Sequence, residues 1–257
     1  MSEKDYLIGK IRNTISEVSA NDSYYVSGFL NPFEQNLWQQ NHKKVNLDFW
    51  GGYRGAERKI VFVTSFSFQY NSVILKKELS AIEAKLNNFV QVTHRQVLGT
   101  LMHSGLSRDV IGDIMINPEN IQLIVKQSIA NFFLDNPLNI NHNVLNFKKI
   151  GFDQIIEPIK NFSTLIDTVP SLRIDVCLAK MLKISRKISQ SLILDGKVLV
   201  NFQEVSKIHY LLTENEIITV RGFGRIKFNR VIGRSKKDKI VIEYQKCSLE
   251  VINGTNT

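Results

Sequence analysis

Cysteine, proline and tryptophan are scarce in this chain. Its 257 residues include two cysteines, Cys177 and Cys247, five prolines and two tryptophans. Two cysteines give no disulfide framework and suit a reducing cytoplasm. No run approaches the ~18–20 apolar residues of a membrane-spanning helix, and the opening MSEKDYLIGKIRN lacks the apolar core of an export signal. A cytoplasmic location without membrane contact is therefore expected. Catalytic signatures are missing as well. The histidines (His42, His94, His103, His142 and His209) and the cysteines show no metal-ligand spacing. HExxH, GxSxG and Walker-loop patterns do not occur. His103, on an apolar helical stretch, reads as a packed residue. The sequence offers no catalytic residue, metal site or cofactor site.

What is present is positive charge, unevenly placed. The formal net charge is +9. Residues 171–250 carry 16 Lys and Arg against 8 Asp and Glu, whereas the first 170 residues carry 17 against 16. A basic surface can serve solubility alone, but one confined to a single segment points to a polyanion.

The first 170 residues read as alternating helices and strands. A helical stripe covers 3–20, and Asn31-Pro32 opens a second helix. Strands are expected over 45–50 and 60–68, joined by GGYRGAER (51–58). Its glycines would suit either a hairpin turn or backbone approach to a phosphate, and no Lys-Ser or Lys-Thr follows as a P-loop needs. From residue 73 the pattern gives strand 73–79, helix 94–105, strands 110–116 and 121–125, helix 126–135 and strand 144–150. That order, βαββαβ, is ferredoxin-like, the arrangement of RNA-recognition folds, although the aromatic-rich strand motif that stacks bases is lacking. Residues 151–170 read as a connection punctuated by Pro158 and Pro170, with a hinge at Pro170.

Residues 171–220 read as two short helices, a turn and short strands. Ile174, Leu178 and Met181 share one face of the first helix. Ser185 N-caps the second, which ends at Asp195-Gly196. On that second helix Arg186, Lys187 and Gln190 share a sector, with Ile188 and Leu192 opposite and packed. Arg173-Ile174-Asp175, Leu178-Ala179, Ser185-Arg186, Gly196-Lys197-Val198 and Val200-Asn201 resemble the S-four-type RNA-binding module, first defined in ribosomal protein S-four. Phe202 stands where that module usually has Gly, and Asn215-Glu216 where it has Gly-Asp. Farther on, Arg221 and Arg225 flank Gly222-Phe223-Gly224. The arginines suit phosphate contact, and Phe223 either stacks on a base or fills a bulged strand. Arg234, Lys236 and Lys237 mark an exposed hairpin tip.

THRQVLGTLMHSGLSRDVIGDI (93–114), FLNPFEQ (29–35), GGYRGAER and VRGFGR (220–225) make nearly the whole chain resemble the bacterial YlmH family. The family's His-Arg-Asp is here His94-Arg95-Gln96. The expected fold is α+β, with an N-terminal α/β subdomain (1–70), a ferredoxin-like (RRM-like) middle domain (71–165) and a C-terminal S-four-type αL RNA-binding domain (171–250). The resemblance implies a non-enzymatic, monomeric RNA-binding protein. Its partners would be structured RNA, ribosomal RNA and tRNA, on the large ribosomal subunit in quality control of stalled peptidyl-tRNA. The alternatives are an RNA-modifying enzyme of the pseudouridine-synthase type and an interaction protein linked to cell division. Such synthases need Asp in an Arg-Leu-Asp context, and only Arg173-Ile174-Asp175 is similar; it lies inside the RNA-binding module, where Asp175 is expected at a helix start, paired with Arg173. The expected RNA-binding residues are Arg173, Ser185, Arg186, Lys187, Gln190, Lys197, Asn201, Arg221 and Arg225, with His94 and Arg95 in the middle domain.

Overall fold

Ile11, Ile15 and Val18 recur at helical spacing, and the helix they build, α1 (Glu3–Ala20), buries all three. The computed structural model describes residues 3–68, 72–86, 92–140, 143–157 and 161–248. After β1 (Tyr24–Val26), α2 (Pro32–Asn41) opens on a capping box. Asn31 Oδ1 accepts from Glu34 N at 3.0 Å, and Glu34 Oε2 accepts from Asn31 N at 2.6 Å. Strands β2 (Asn46–Trp50) and β3 (Ile60–Thr64) form a hairpin, and β1 completes an antiparallel sheet of order β1-β3-β2. All five residues of β3 are buried, as a central strand covered on both faces requires.

The strand expected over 73–79 is instead a short helix, α3 (Ser72–Lys77), and the strand follows it as β4 (Leu79–Lys85). The apolar run there is too short for periodicity to separate the two forms. Next come α4 (His94–His103), β5 (Ile111–Ile116), β6 (Asn120–Lys126) and α5 (Gln127–Asp135). The strand expected over 144–150 is divided. A small hairpin of β7 (Leu138–Ile140) and β8 (Asn143–Leu145) precedes β9 (Phe147–Ile150). The main sheet runs β5-β6-β4-β9, antiparallel throughout, which is the ferredoxin-like order.

One face of that sheet packs on α4 and α5 through Ile82, Leu123, Val97, Leu101 and Phe133. The other face, with Leu79, Ala81, Met115 and Ile124, packs against Phe29, Tyr53, Ile60 and Phe62 from the first 70 residues. The division expected at 70/71 therefore falls inside one compact unit, which extends to residue 158. Shared burial joins two parts that the change of pattern at residue 73 would separate.

Residues 159–250 form the second unit. The stretch expected to connect, 151–170, contributes a nine-residue strand, β10 (Asn161–Val169). Thr164, Ile166, Thr168 and Val169 favour extended backbone, and Pro170 follows the strand without interrupting it. Helices α6 (Ile174–Leu182) and α7 (Arg186–Leu194) come next, then β11 (Val198–Val200), β12 (Gln203–Glu204), β13 (Ile217–Val220), β14 (Gly224–Arg234) and β15 (Ile240–Ser248). The sheet order is β10-β15-β14-β13-β11-β12. Its core collects Ile174, Leu178, Met181, Ile193, Ile218, Phe228 and Ile242. On α7 the buried residues are Ser189, Leu192 and Ile193, while Ile188, expected to pack, is 49 % exposed. The buried stripe is turned by one residue because Ser189 faces the core. His142, Pro158 and the tail from residue 249 lie outside the described residues, as does the Cys247 side chain.

Ile124 is fully buried on the sheet face shared by both parts of the first unit, and its side chain lies so close to Gly52 that a Cβ there would meet it at 2.9 Å. Ile124→Ala should cost about 2–5 kcal/mol. Both tryptophans, Trp38 and Trp50, belong to this unit, so urea unfolding read by their fluorescence follows it alone. One transition shifted to lower urea is expected. Two separated transitions would show that its parts fold independently.

Candidate nucleic-acid interface

Asp175 sits in the first turn of α6, where the helix dipole favours a carboxylate, and it is fully buried. Arg173, the N-cap, donates Nε to Oδ1 and Nη2 to Oδ2, both at 3.1 Å. Arg186 Nε and Gln190 Nε2, from α7, donate to Oδ2 at 2.8 and 2.9 Å. Burial alone would raise the Asp175 pKa. Hydrogen bonds from Gln190, Arg186 and Arg173, with the charge of Arg173, outweigh burial and hold it below the ordinary carboxylate value. Three of the expected RNA-binding residues thus converge on one anion. Arg173 and Arg186 keep 35 % and 53 % of their side-chain surface exposed. Each guanidinium is fixed along one edge and open along another.

The loop between the two helices holds this geometry. Lys183 ends α6 in the left-handed conformation at φ +57°. Ser185 Oγ caps α7 by accepting from Ile188 N at 3.2 Å. Ser185 therefore has a structural task, and so has Asn201, whose Oδ1 accepts from Ile217 N at 3.0 Å. Lys197 pairs with Asp195 at 3.2 Å, but both side chains are about half exposed, so the pair contributes little. Lys187 and Arg221 are exposed and have no side-chain partner among the described residues. Arg221 N donates to Lys197 O at 2.9 Å, which seats the Arg221–Phe223 turn beside β11.

The two departures from the module's usual sequence are accommodated locally. Asn201 and Phe202 form the β11–β12 turn with φ of +48° and +67°, the pair of positive values that a primed hairpin turn needs. The guanidinium of Arg225 lies over the Phe202 ring, 5.2 Å from its centroid. Asn215 takes φ +68°, and the buried Glu216 accepts from Tyr210 Oη at 2.5 Å and Thr213 N at 2.9 Å. Phe223 is 48 % exposed, so the core reading fails for it; Phe228 occupies the core instead. Burial pushes the Cys177 thiol up to about 12, with the Asp175 charge adding to the effect, so it stays protonated at neutral pH.

In the first unit, His94 and Arg95 are exposed in the first turn of α4. The cap belongs to their neighbours. Thr93 Oγ1 accepts from Gln96 N at 3.3 Å, and Gln96 Oε1 accepts from Thr93 N at 2.9 Å. His103 is exposed rather than packed, and its Nδ1 lies 2.9 Å from Gly99 O. The GGYRGAER segment is the β2–β3 hairpin loop. It closes on Asp113, which accepts from Tyr53 Oη at 2.8 Å, Glu57 N at 2.7 Å and Arg58 N at 3.0 Å. The sheet face that RNA-recognition folds offer to bases is covered by Phe29, Tyr53 and Phe62. Among the described residues no group of His, Cys, Asp and Glu could hold a metal, and no helix is long and apolar enough to cross a membrane.

Sequence reasoning places Asp175 at a helix start paired with Arg173 and misses its bonds to α7. The signal for them is that Arg186 and Gln190, four apart on one helix, share a face. Asp175→Asn should destabilise the second unit by about 2–4 kcal/mol, less than a fully buried pair because both arginines reach water. The folded pKa of Asp175 is depressed. Its stabilisation is therefore present above the unfolded value near ~3.9 and is lost as pH falls through the folded pKa. Acid unfolding followed by far-UV circular dichroism should show a shallower pH dependence in the Asn variant. An unchanged pH profile would remove Asp175 from its central position.

Comparison with known proteins follows the same division. Residues 77–154 match the family described as "Putative RNA-binding domain in YlmH", and residues 172–218 match the S4 domain. Over 226 residues the chain is 33% identical to the ribosome-associated protein quality control protein P2 of Bacillus subtilis (strain 168), covering 86% of each chain. The solved structure of the cell division protein ylmH from Streptococcus pneumoniae superposes with a TM-score of 0.52 at 23% identity, covering 61% of this chain and 97% of that one, a likeness of fold. With a C-terminal S4 domain, a ferredoxin-like domain before it and a relative matched along most of its length at this identity, the chain belongs to the YlmH family.

Proposed function

We propose that this protein binds structured RNA without catalysing a reaction on it, through backbone contacts made by its C-terminal unit. The observation that carries this reading is the Asp175 clasp. It holds two arginines in fixed orientation while leaving part of each guanidinium in water. Preorganised guanidiniums lose little conformational freedom when they meet phosphate, and their forked donors match its oxygens. Lys187 and Arg221 add exposed cations in a segment that carries most of the chain's excess positive charge. Such contacts position an RNA and read its shape more than its sequence.

The Bacillus subtilis relative is named for ribosome-associated protein quality control. That name supports a role on the ribosome. The finer reading is a monomeric cytoplasmic protein that contacts ribosomal RNA and tRNA on large subunits bearing stalled peptidyl-tRNA. His94 and Arg95, on the other unit, are part of this reading as further contacts.

The test must spare the clasp, because replacing Arg186 would also leave Asp175 short of a partner. Lys187→Ala with Arg221→Ala removes charge from exposed positions. The double variant should bind structured RNA about 10-fold more weakly. The slope of log K against log salt should fall by about 1 for each phosphate left without its cation. Co-sedimentation with separated ribosomal subunits should place the wild type on the large subunit. Migration with neither subunit, or a modified nucleotide after incubation with ribosomal RNA or tRNA, would overturn the proposal.

A further inference from the structure

Three segments of the first unit meet around two arginines. Arg58 ends the GGYRGAER loop, and Arg108 stands in the turn before β5. Arg58 donates Nε to Ile111 O at 3.2 Å, and Nη2 to Phe29 O at 2.7 Å and Arg108 O at 3.2 Å. Arg108 donates Nη1 to the same Ile111 O at 2.5 Å and to Gly112 O at 3.1 Å. Two bonds meeting on one oxygen make the guanidiniums close neighbours.

Each of these bonds ends on a backbone carbonyl. A carbonyl dipole orients a guanidinium but does not cancel its charge. Among the described residues neither arginine forms an ion pair. Asp113, Glu57, Glu34 and Asp109 lie near enough for their charges to act on the pair, but among the described residues none of them forms an ion pair with either guanidinium. Asp113 takes Tyr53 Oη, Glu57 N and Arg58 N, Glu34 takes Asn31 N, and Asp109 takes the Ser107 hydroxyl. Arg58 Nη1 and Arg108 Nε and Nη2 have no protein acceptor among the described residues, and none of the three is a buried unsatisfied atom. Each therefore keeps some surface in contact with solvent. Burial, followed by the charge of Arg58, lowers the Arg108 pKa to about 10, and the charges of Asp113 and Glu57 only partly oppose this.

A rigid pair of half-buried guanidiniums with outward donors fits a tetrahedral oxyanion that accepts from both. We infer that Arg58 and Arg108 bind one phosphodiester group of the RNA, giving the first unit a backbone contact of its own. This rests on the RNA-binding reading above. It also follows the covered sheet face: with base stacking closed off there, the loop side remains, and a phosphate contact does not depend on sequence.

Arg108→Gln keeps an amide donor for the Ile111 carbonyl and removes the charge. In the full chain, affinity for a ribosomal-RNA hairpin should fall about 3–10-fold, and the salt slope should fall by about 1. A lowered melting temperature with unchanged affinity and slope would mean that Arg108 only fastens the loop, and the inference would be overturned. Hydrogen exchange of the wild type offers an independent measurement should the variant fail to fold. Amides of 51–58 and 107–113 should exchange more slowly with the hairpin bound. Binding without slower exchange there would overturn this inference alone, whereas a wild type that binds no RNA would overturn the reading beneath it.

Discussion

Burying the Asp175 carboxylate without partners would cost several kcal/mol. Four hydrogen bonds, from Arg173, Arg186 and Gln190, offset that cost, and they come from both helices of the pair. The position of α7 against α6 is thereby tied to a charge interaction as well as to apolar packing. Ser189, buried on α7, adds little side-chain volume to the core. The orientation of the guanidiniums, the exposure of the next residue, Lys187, and the placing of Ile188 toward solvent all follow from how α7 is seated.

The second unit is legible in the sequence where local rules act. Ser185, Gly196 and the stripe Ile174, Leu178 and Met181 announce their roles through capping, positive φ and period. The clasp is legible only in part, because it joins residues 11 and 15 apart across a loop, and single-helix geometry does not give the crossing. Asn201 and Ser185 are expected RNA contacts whose side chains also hold backbone, Ser185 as the cap its position announces and Asn201 by accepting from Ile217 N. Both are short polar residues at chain reversals, where local hydrogen bonds compete with any outside partner. Phe202 is the departure whose accommodation the sequence leaves open. Its positive φ costs energy for a residue with a Cβ, and the Arg225 contact partly offsets it.

The first unit is harder to read because its decisive feature is not local. The βαββαβ order survives the misplacement of its first strand, since the later elements carry strong patterns. Nothing in the pattern of residues 1–70 says that they lie on the sheet. Yet β4 places Leu79 and Ala81 on one face and Ile82 and Ala84 on the other, apolar on both, which is the mark of a strand covered twice. A strand of that kind leaves no open face for bases, so its pattern argues by itself against the base-stacking mode of RNA-recognition folds.

The two units handle arginine differently, and the difference bears on function. In the second unit two guanidiniums share a carboxylate, so one positive charge of the pair is cancelled and the remaining donors are oriented. In the first unit two guanidiniums share a carbonyl oxygen, and both charges persist. Held side by side the two cations repel, and the nearby charges of Asp113 and Glu57 only partly oppose that repulsion. Folding tolerates this because Arg58 bridges three segments, and the five carbonyl bonds of the pair offset part of the repulsion. A bound phosphate would turn that repulsion into attraction on both sides at once. Anion binding therefore has a driving force there that the clasped pair, already partly neutralised, does not possess.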